Sequence, residues 1–345
     1  MRFLFYFSPE SRNNSKIWRL GTIKNHFQYE LKNLEHHGHF VKVSCNRHTI
    51  YESIKKDYIN ANNALIDHSS GFGVSINNFL LKSDNIYNFD IIVIYEGPKL
   101  KLTKINRANI IYSGLGLFNR DIFGDYFYYS RIYNFYPVFE RKLTKISKKI
   151  TSKTINYLKE KYYNYILNQP LDANIYKALE LSSITYFPQP YDAYGIESIF
   201  EKSLADKDRL TKICSKFNHV NLIFHPIIPN TFDLKEEYEN EFEHLTVLPN
   251  KLKSKPFDIN NYFWFFENIF IENSSLGALG ILLGKNVYTF SNSLFSNEKI
   301  LKNKKIKIVD SISLERLINL FIDTNIEFDK VEKNEIDLGY YLNSL

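Results

Sequence analysis

The chain contains 345 residues, which is more than one ordinary hydrophobic core requires and about enough for two domains of roughly 150 residues. Hydrophobic residues make up 44% and charged residues 24%, which excludes a disordered chain, and the dispersed net charge of +6 argues against nucleic-acid binding. The two cysteines lie far apart, which argues against a disulfide framework or a zinc site and fits a reducing cytoplasm. No run approaches about 18 apolar residues, so we expect no membrane-spanning helix.

The amino-terminal half alternates apolar runs with segments of helical spacing. Such alternation is typical of a doubly wound α/β domain. The patterns predict strands at residues 3–7, 40–43, 90–95 and 109–112, and helices at residues 23–36 and 138–168. The last of these helical stretches is basic and polar, and we expect it to connect two lobes.

The carboxyl-terminal half resumes the same alternation. It predicts strands at residues 183–187, 220–224, 245–248, 270–271, 287–290 and 306–309, and helices at residues 196–217 and 276–283. The whole pattern predicts an α/β fold of the GT-B class, with two Rossmann-like lobes and a cleft between them. We expect the domains at residues 1–170 and 171–345, although the alternation alone leaves other two-domain α/β enzymes open.

Two motifs of the second half follow predicted strands, where open α/β sheets bind ligands. His225-Pro226 comes at the end of one strand, and the proline restricts the conformation of the histidine before it. Ser274-Ser275 follows another strand and opens a predicted helix, where hydroxyl and backbone N–H groups suit an anion. Together they predict a site for a nucleotide phosphate. Taken separately, a single histidine is more often structural, and the serines also suit helix caps.

Glu96-Gly97 ends the predicted strand at residues 90–95. A carboxylate there would face the cleft between the lobes and could act as a general acid or base on a sugar hydroxyl. A turn acid that caps the next segment is the structural alternative. Ser113-Gly114 follows the next predicted strand, and its Gly-x-Gly pattern is weak evidence alone.

Gln189 and Asp192 follow the predicted strand at residues 183–187. Asp192 suits a nucleophile or a base, and it suits a helix N-cap equally well. The histidines near residue 37 have no carboxylate at a fixed spacing, so we predict no metal site.

The order of these motifs resembles that of bacterial capsule and lipopolysaccharide glycosyltransferases that use CMP-activated sugars. The pattern is nearest to the β-Kdo transferases of capsule synthesis, and bacterial sialyl- and polysialyltransferases share several of its elements. In chain order, the motifs are Glu96-Gly97, Ser113-Gly114-Leu115-Gly116 with Tyr128-Tyr129, Gln189-x-x-Asp192, His225-Pro226 and Ser274-Ser275. The chain departs from the pattern in the spacing of the first two motifs and in Phe224, which replaces a basic residue.

The resemblance implies a carboxyl-terminal domain that binds the CMP-sugar and an amino-terminal domain that binds the acceptor. The implied catalytic residues are Glu96 as the acid–base carboxylate, Asp192 as the counterpart of the nucleophile of retaining Kdo transferases, and His225. The implied binding residues are His225, Pro226, Asn273, Ser274, Ser275, Gly97, Ser113, Gly114 and Gln189. No metal or other cofactor is implied, because CMP leaves with one phosphate that protein donors can neutralise.

The function that the resemblance implies is transfer of a 2-keto-3-deoxy sugar acid from its CMP donor to a saccharide or glycolipid acceptor, in capsule or lipopolysaccharide synthesis. The sugar is Kdo, sialic acid or a related nonulosonate, and we expect a cytoplasmic enzyme, with peripheral attachment to the inner membrane left open. A CDP-polyol phosphate transferase of teichoic-acid type is an alternative that would need a second histidine, for which His68 is the candidate. A catalytically inactive nucleotide-sugar-binding assembly protein is the other alternative.

Overall fold

The computed structural model describes residues 1–7, 28–45, 66–67, 89–95, 104–105, 108–118, 121–123, 131–133, 148–169, 177, 179, 183–188, 206–224, 231–249, 251–252, 255–256, 259–272, 274–291, 293, 295–298, 307–318 and 328–344. Its strands form two separate, mainly parallel sheets, one from each half of the chain. The structure therefore confirms the predicted α/β class, with two Rossmann-like sheets of the GT-B type.

The strands of the first sheet are β1 (Arg2–Phe7), β2 (Phe40–Cys45), β3 (Ile66–Asp67), β4 (Ile91–Tyr95), β5 (Lys104–Ile105), β6 (Ala108–Leu115) and β7 (Arg131–Tyr133). Their order in the sheet is β3-β2-β1-β4-β6-β5, and β7 pairs with the carboxyl end of β6. The central strands are parallel, whereas β5 and β7 run antiparallel to β6. β4 is a continuous run of β-branched and aromatic residues, as expected for a strand that is covered on both faces.

The strands of the second half are β8 (Ile184–Phe187), β9 (Val220–Ile223), β10 (Leu245–Leu248), β11 (Lys251–Leu252), β12 (Lys255–Pro256), β13 (Asn268–Ile271), β14 (Asn286–Phe290) and β15 (Ile308–Asp310). The second sheet has the strand order β10-β9-β8-β13-β14-β15, and among its described strands only the edge strand β15 is antiparallel. Strands β11 and β12 form a short separate hairpin.

The described helices flank the two sheets. They are α1 (Gln28–His36), α2 (Lys148–Ile166), α3 (Asp206–Cys214), α4 (Thr231–Glu241), α5 (Ile259–Tyr262), α6 (Leu276–Leu282), α7 (Phe328–Glu332) and α8 (Leu338–Ser344), with 3₁₀ turns at Asp121–Phe123 and Phe263–Phe265. In the part of the chain that these elements cover, we find no helix with the length and apolar character needed to cross a membrane.

Helix α2 joins the two halves. Its Leu158 and Tyr162 are fully buried in a hydrophobic cluster that also contains Ile92 of the first sheet and Ile269 of the second. The Tyr162 O–H donates a hydrogen bond to the carbonyl of Asn260 at 2.9 Å. The predicted helical connection is therefore confirmed over this stretch, and it shares one core with both sheets.

Candidate functional site

The second sheet has its topological switch point between β8 and β13. β9 and β10 lie on one side of this pair and β14 lies on the other. Phe187 at the end of β8 is in register with Ile271 at the end of β13, so the two strands end at the same level. Parallel sheets bind ligands in the crevice beyond such a point.

Three predicted motifs follow three adjacent strands at this edge. Gln189 and Asp192 come after β8, His225-Pro226 comes after β9, and Ser274-Ser275 comes after β13. Of these, only the two serines fall within the described residues. Outside them lie Glu96, Gly97, Gln189, Asp192, His225, Pro226 and Asn273, together with Tyr128, Tyr129 and His68, and the roles predicted for all of these residues remain predictions.

Ser274 and Ser275 lead from β13 into α6, and both are partly exposed. The Ser274 hydroxyl accepts a hydrogen bond from the N–H of Leu276 at 3.3 Å, and the Ser274 carbonyl accepts one from Gly277 at 2.9 Å. Ser275 occupies the N-cap position and makes no side-chain cap hydrogen bond. Helix capping therefore accounts for only part of the Ser274 contacts and for no side-chain contact of Ser275 with the helix end.

The glycines of α6 bring this helix close to its own sheet. A Cβ at Gly277 would lie 2.8 Å from Ile271 Cδ1, and one at Gly280 would lie 2.9 Å from Val287 Cγ2. All residues of the helix are buried. The glycines after Ser275 thus allow α6 to pack closely against the sheet, and this packing fixes the position of Ser274 and Ser275 at the start of the helix.

A buried polar cluster lies directly before the serine pair. Glu272 is 3% exposed and Arg209 of α3 is 6% exposed. Arg209 Nη1 donates to Glu272 Oε2, and the Tyr186 O–H of β8 donates to Glu272 Oε1 at 2.5 Å. Both carboxylate oxygens of Glu272 therefore have a donor, each from a different element of the domain.

The backbone of Glu272 is held as well. Its carbonyl accepts hydrogen bonds from the hydroxyls of Thr289, at 3.4 Å, and of Ser293. Sequence reasoning missed this cluster because its members stand in apolar or helical patterns with no motif of their own. The available signal was a carboxylate, Glu272, that directly follows the apolar run of β13.

The first sheet has a corresponding switch point between β1 and β4. Glu96 follows β4 directly. Ser113 of β6 pairs with Tyr95, the last residue of β4, and is fully buried. Within the described part of the chain the Ser113 hydroxyl has no hydrogen-bond partner.

The predicted end of β6 is wrong. The sequence predicted a strand that ends at Tyr112 and is followed by Ser113-Gly114, but β6 continues to Leu115. The reason is β7, which pairs antiparallel with residues 113–115 and supplies the backbone partners that keep them extended. Ser113 and Gly114 therefore lie inside the sheet, and their predicted contact with the donor remains a prediction.

The histidines near residue 37 have identifiable structural roles. His39 Nε2 lies 2.8 Å from Asp337 Oδ1, and the rings of His36 and His37 pack edge to face at 5.2 Å. No group of three metal-binding side chains is present among the residues that the structure describes. Cys214 is half-buried, and burial raises the pKa of its thiol to about 11, so the thiol is protonated near neutral pH.

No protein-family model matches the sequence, and neither does any curated protein. Among solved structures, the β-Kdo 2,7-transferase KpsC of Thermosulfurimonas dismutans is 10% identical, with 98% of this chain and 100% of that chain covered and a TM-score of 0.42. MnaA of S. aureus, in a co-structure with UDP, is 12% identical over 100% and 97% of the two chains, with a TM-score of 0.35. The wall teichoic acid polymerase TagF is 12% identical over 99% and 86%, with a TM-score of 0.27. These are distant likenesses, and none of them decides the activity of this chain.

Proposed function

We propose that this protein is a glycosyltransferase that transfers a 2-keto-3-deoxy sugar acid from its CMP donor to a saccharide or glycolipid acceptor in bacterial capsule or lipopolysaccharide synthesis. One observation carries the proposal: the Gln189–Asp192, His225-Pro226 and Ser274-Ser275 motifs each follow one of three adjacent parallel strands at the switch point of the second sheet. The carboxyl ends of these three strands lie at one edge of the sheet, where open α/β sheets bind ligands, so we expect the motifs that follow them to meet there.

The proposed reaction needs two kinds of group. Cleavage of the CMP-sugar bond leaves negative charge on the phosphate, which hydrogen-bond donors in a dry site stabilise. His225, Ser274 and Ser275 are of the right types for this task. The acceptor hydroxyl must lose its proton to a base, and Glu96, which follows β4 at the switch point of the first sheet, is proposed for that role.

Asp192 is proposed as the nucleophile if the reaction retains the anomeric configuration. In an inverting reaction the acceptor attacks the sugar directly and no protein nucleophile is needed. Gln189, Gly97, Pro226, Asn273, Ser113 and Gly114 complete the proposed binding residues. We propose no metal, a cytoplasmic location and, as a further option, peripheral attachment to the inner membrane.

Nucleotide binding tests the proposal without knowledge of the acceptor. We expect CMP to bind to the wild type, as measured by calorimetry, and to bind more weakly by about tenfold or more in the Ser274→Ala/Ser275→Ala variant, because hydrogen bonds to a charged phosphate are lost. The matched control is Ser313→Ala, since Ser313 also begins a helical segment, where its hydroxyl accepts from the Arg316 N–H at 3.2 Å. Binding of CDP in preference to CMP would favour the CDP-polyol alternative.

The role of Glu96 is tested by turnover. We expect Glu96→Gln to keep CMP affinity and to lose most transfer to acceptor, by about 100-fold or more, because positioned proton transfer contributes on that order. A variant with unchanged transfer would show that Glu96 is not the base. A wild type that binds CMP and never turns over any CMP-sugar would favour the inactive assembly protein.

A further inference from the structure

We infer that Glu272, Arg209 and Tyr186 are positioning residues that hold the Ser274-Ser275 segment in place for the donor, an inference that rests on the proposed function for the identity of the ligand. Tyr186 and Arg209 belong to no motif of the proposed site, and Glu272 stands two residues before Ser274 with no role assigned to it from sequence. The contacts of Tyr186 and Arg209 converge on Glu272, which directly follows β13.

The Glu272 carboxylate ties three elements together. Tyr186 lies on β8, across the switch point from β13, and donates to one carboxylate oxygen. Arg209 lies on α3, the helix that follows the Gln189–Asp192 motif, and donates to the other oxygen. The same carboxylate therefore links the end of β13 to the strand and the helix that flank a second proposed binding segment.

The main chain of Glu272 is restrained at the same time. Its carbonyl accepts hydrogen bonds from Thr289 at the end of β14 and from Ser293 just beyond it. Hydrogen bonds thus hold both the side chain and the carbonyl of Glu272, and they fix the direction in which the main chain leaves β13. A site that binds phosphate through hydroxyls needs such restraint, because a displacement of about 1 Å weakens oriented hydrogen bonds.

Stability alone does not account for this cluster. Aromatic rings surround it: the Arg209 guanidinium carbon lies 5.6 Å from the centroid of Phe290, and Tyr186 packs edge to face against Phe270 at 5.5 Å. In such a setting the cost of removing two charges from water offsets much of their attraction, and apolar residues of similar volume are often equally stable. The charged pair is better explained by a role in fixing the position of Glu272 and of the Ser274-Ser275 segment that follows it.

Tyr186→Phe is the most direct test, because it removes one hydrogen bond from Glu272 and keeps the ring. Tyr162→Phe is the matched control, since it removes a buried phenol hydrogen bond, to Asn260, and keeps the ring in the core that it shares with α6. In both variants we would measure CMP affinity by calorimetry, the melting temperature, and hydrogen exchange of residues 272–282 in the free protein. We expect Tyr186→Phe to weaken CMP binding by about tenfold and to speed exchange in that segment, while Tyr162→Phe changes neither.

A double variant separates positioning from stability. Glu272→Gln removes the negative charge that pairs with the buried Arg209 guanidinium and is expected to lower the melting temperature strongly. Glu272→Gln/Arg209→Met removes both charges, so the melting temperature should rise again while CMP affinity stays low. If CMP affinity recovers together with the melting temperature, the cluster acts only through stability and the inference is overturned.

The outcomes also distinguish this inference from the proposed function. If the wild type does not bind CMP, the proposed donor is wrong, and hydrogen exchange of the free protein decides the inference by itself. Equal exchange of residues 272–282 in Tyr186→Phe and Tyr162→Phe overturns it, and faster exchange only in Tyr186→Phe supports it. If the wild type binds CMP and Tyr186→Phe binds it equally well, the proposed function survives and the inference fails.

Discussion

Asp337 connects the end of the described chain to its beginning through a single carboxylate. Its Oδ1 accepts hydrogen bonds from the His39 ring at 2.8 Å and from the N–H groups of Gly339, at 2.7 Å, and Tyr340, at 3.4 Å. Burial acts to raise the pKa of Asp337, but the hydrogen bonds from these three residues outweigh it and hold the pKa below its ordinary value.

This lowered pKa predicts a pH dependence of stability. An aspartate in the unfolded chain has a pKa of about 3.9, so the contribution of Asp337 to stability is complete above that pH and is lost as the pH falls through the lower pKa of the folded state. We expect Asp337→Asn to reduce the free energy of unfolding by about 1 kcal/mol or less at pH 7 and to have no effect once Asp337 is protonated in both states. Urea denaturation between pH 7 and pH 2 measures this difference. The exposed Asp310→Asn is the control, and a constant difference at all pH values would contradict the assignment.

Single residues also mark the limit of prediction from sequence. The places of Ser274 and Ser275 could be predicted, because an apolar run, a polar pair and a small-residue helix follow one another within a short stretch. The places of Arg209 and Tyr186 could not be predicted, because their contact with Glu272 joins residues that are far apart in the chain. A buried ion pair leaves no periodic signal, because the partner that each residue needs lies in another element.

At the scale of elements, α6 depends on its glycines. An added Cβ at Gly280 would collide with Ile269 Cδ1 and would lie 2.9 Å from Val287 Cγ2. We expect Gly280→Ala to lower the free energy of unfolding by about 1–3 kcal/mol through overpacking, partly offset by the better helix propensity of alanine. Chemical denaturation measures the loss.

A second substitution provides the control for this prediction. Ile269→Val removes the methyl group that an added Cβ at Gly280 would meet first. The double variant should therefore be more stable than the sum of the two single losses predicts. Strict additivity would show that Gly280 is required for some other reason.

The main strands of both sheets were predictable because each is a short apolar run bounded by polar or turn residues. β10 was predicted with the correct bounds, and the other main strands agree to within a few residues. The short strands β3, β5, β7, β11 and β12 were missed, since a run of two or three residues is too short to show an alternating pattern. Helices α4, α5, α7 and α8 were also missed. α4 is rich in charged residues and has few apolar positions to form an apolar face, and α5, α7 and α8 are too short to show one.

At the scale of the whole molecule, the carboxyl-terminal helices α7 and α8 pack against α1 of the first half. Asn33 of α1 is fully buried and makes the polar contacts of this interface. Its side-chain N–H groups donate to the carbonyls of Val331 and Ile336 at 2.9 and 2.8 Å, and its Oδ1 accepts from the Leu338 N–H at 3.0 Å. The predicted domains at residues 1–170 and 171–345 remain predictions, and the structure shows only that α7 and α8 contact α1.

Asn33→Ala should therefore release these helices. It leaves the buried N–H of Leu338 and the partly buried carbonyl of Ile336 without this partner, whereas the Val331 carbonyl keeps the N–H of Asn334. We expect a loss of roughly 2–4 kcal/mol in the free energy of unfolding. Hydrogen exchange of residues 328–344 should accelerate more than that of the second sheet. Lys32→Ala, an exposed change on the same helix, is the control. Equal acceleration throughout the chain would indicate a general loss of stability instead.

Release of CMP from a donor tests the central claim most directly. The purified protein would be incubated separately with CMP-Kdo and CMP-sialic acid, and free CMP would be followed in the wild type, in His225→Ala and in His219→Ala. His219 is the matched control because it stands before β9, whereas His225 follows the other end of the same strand. The proposed function predicts release from one donor, lost in His225→Ala and kept in His219→Ala. No release from either donor, together with no binding of CMP, would contradict it.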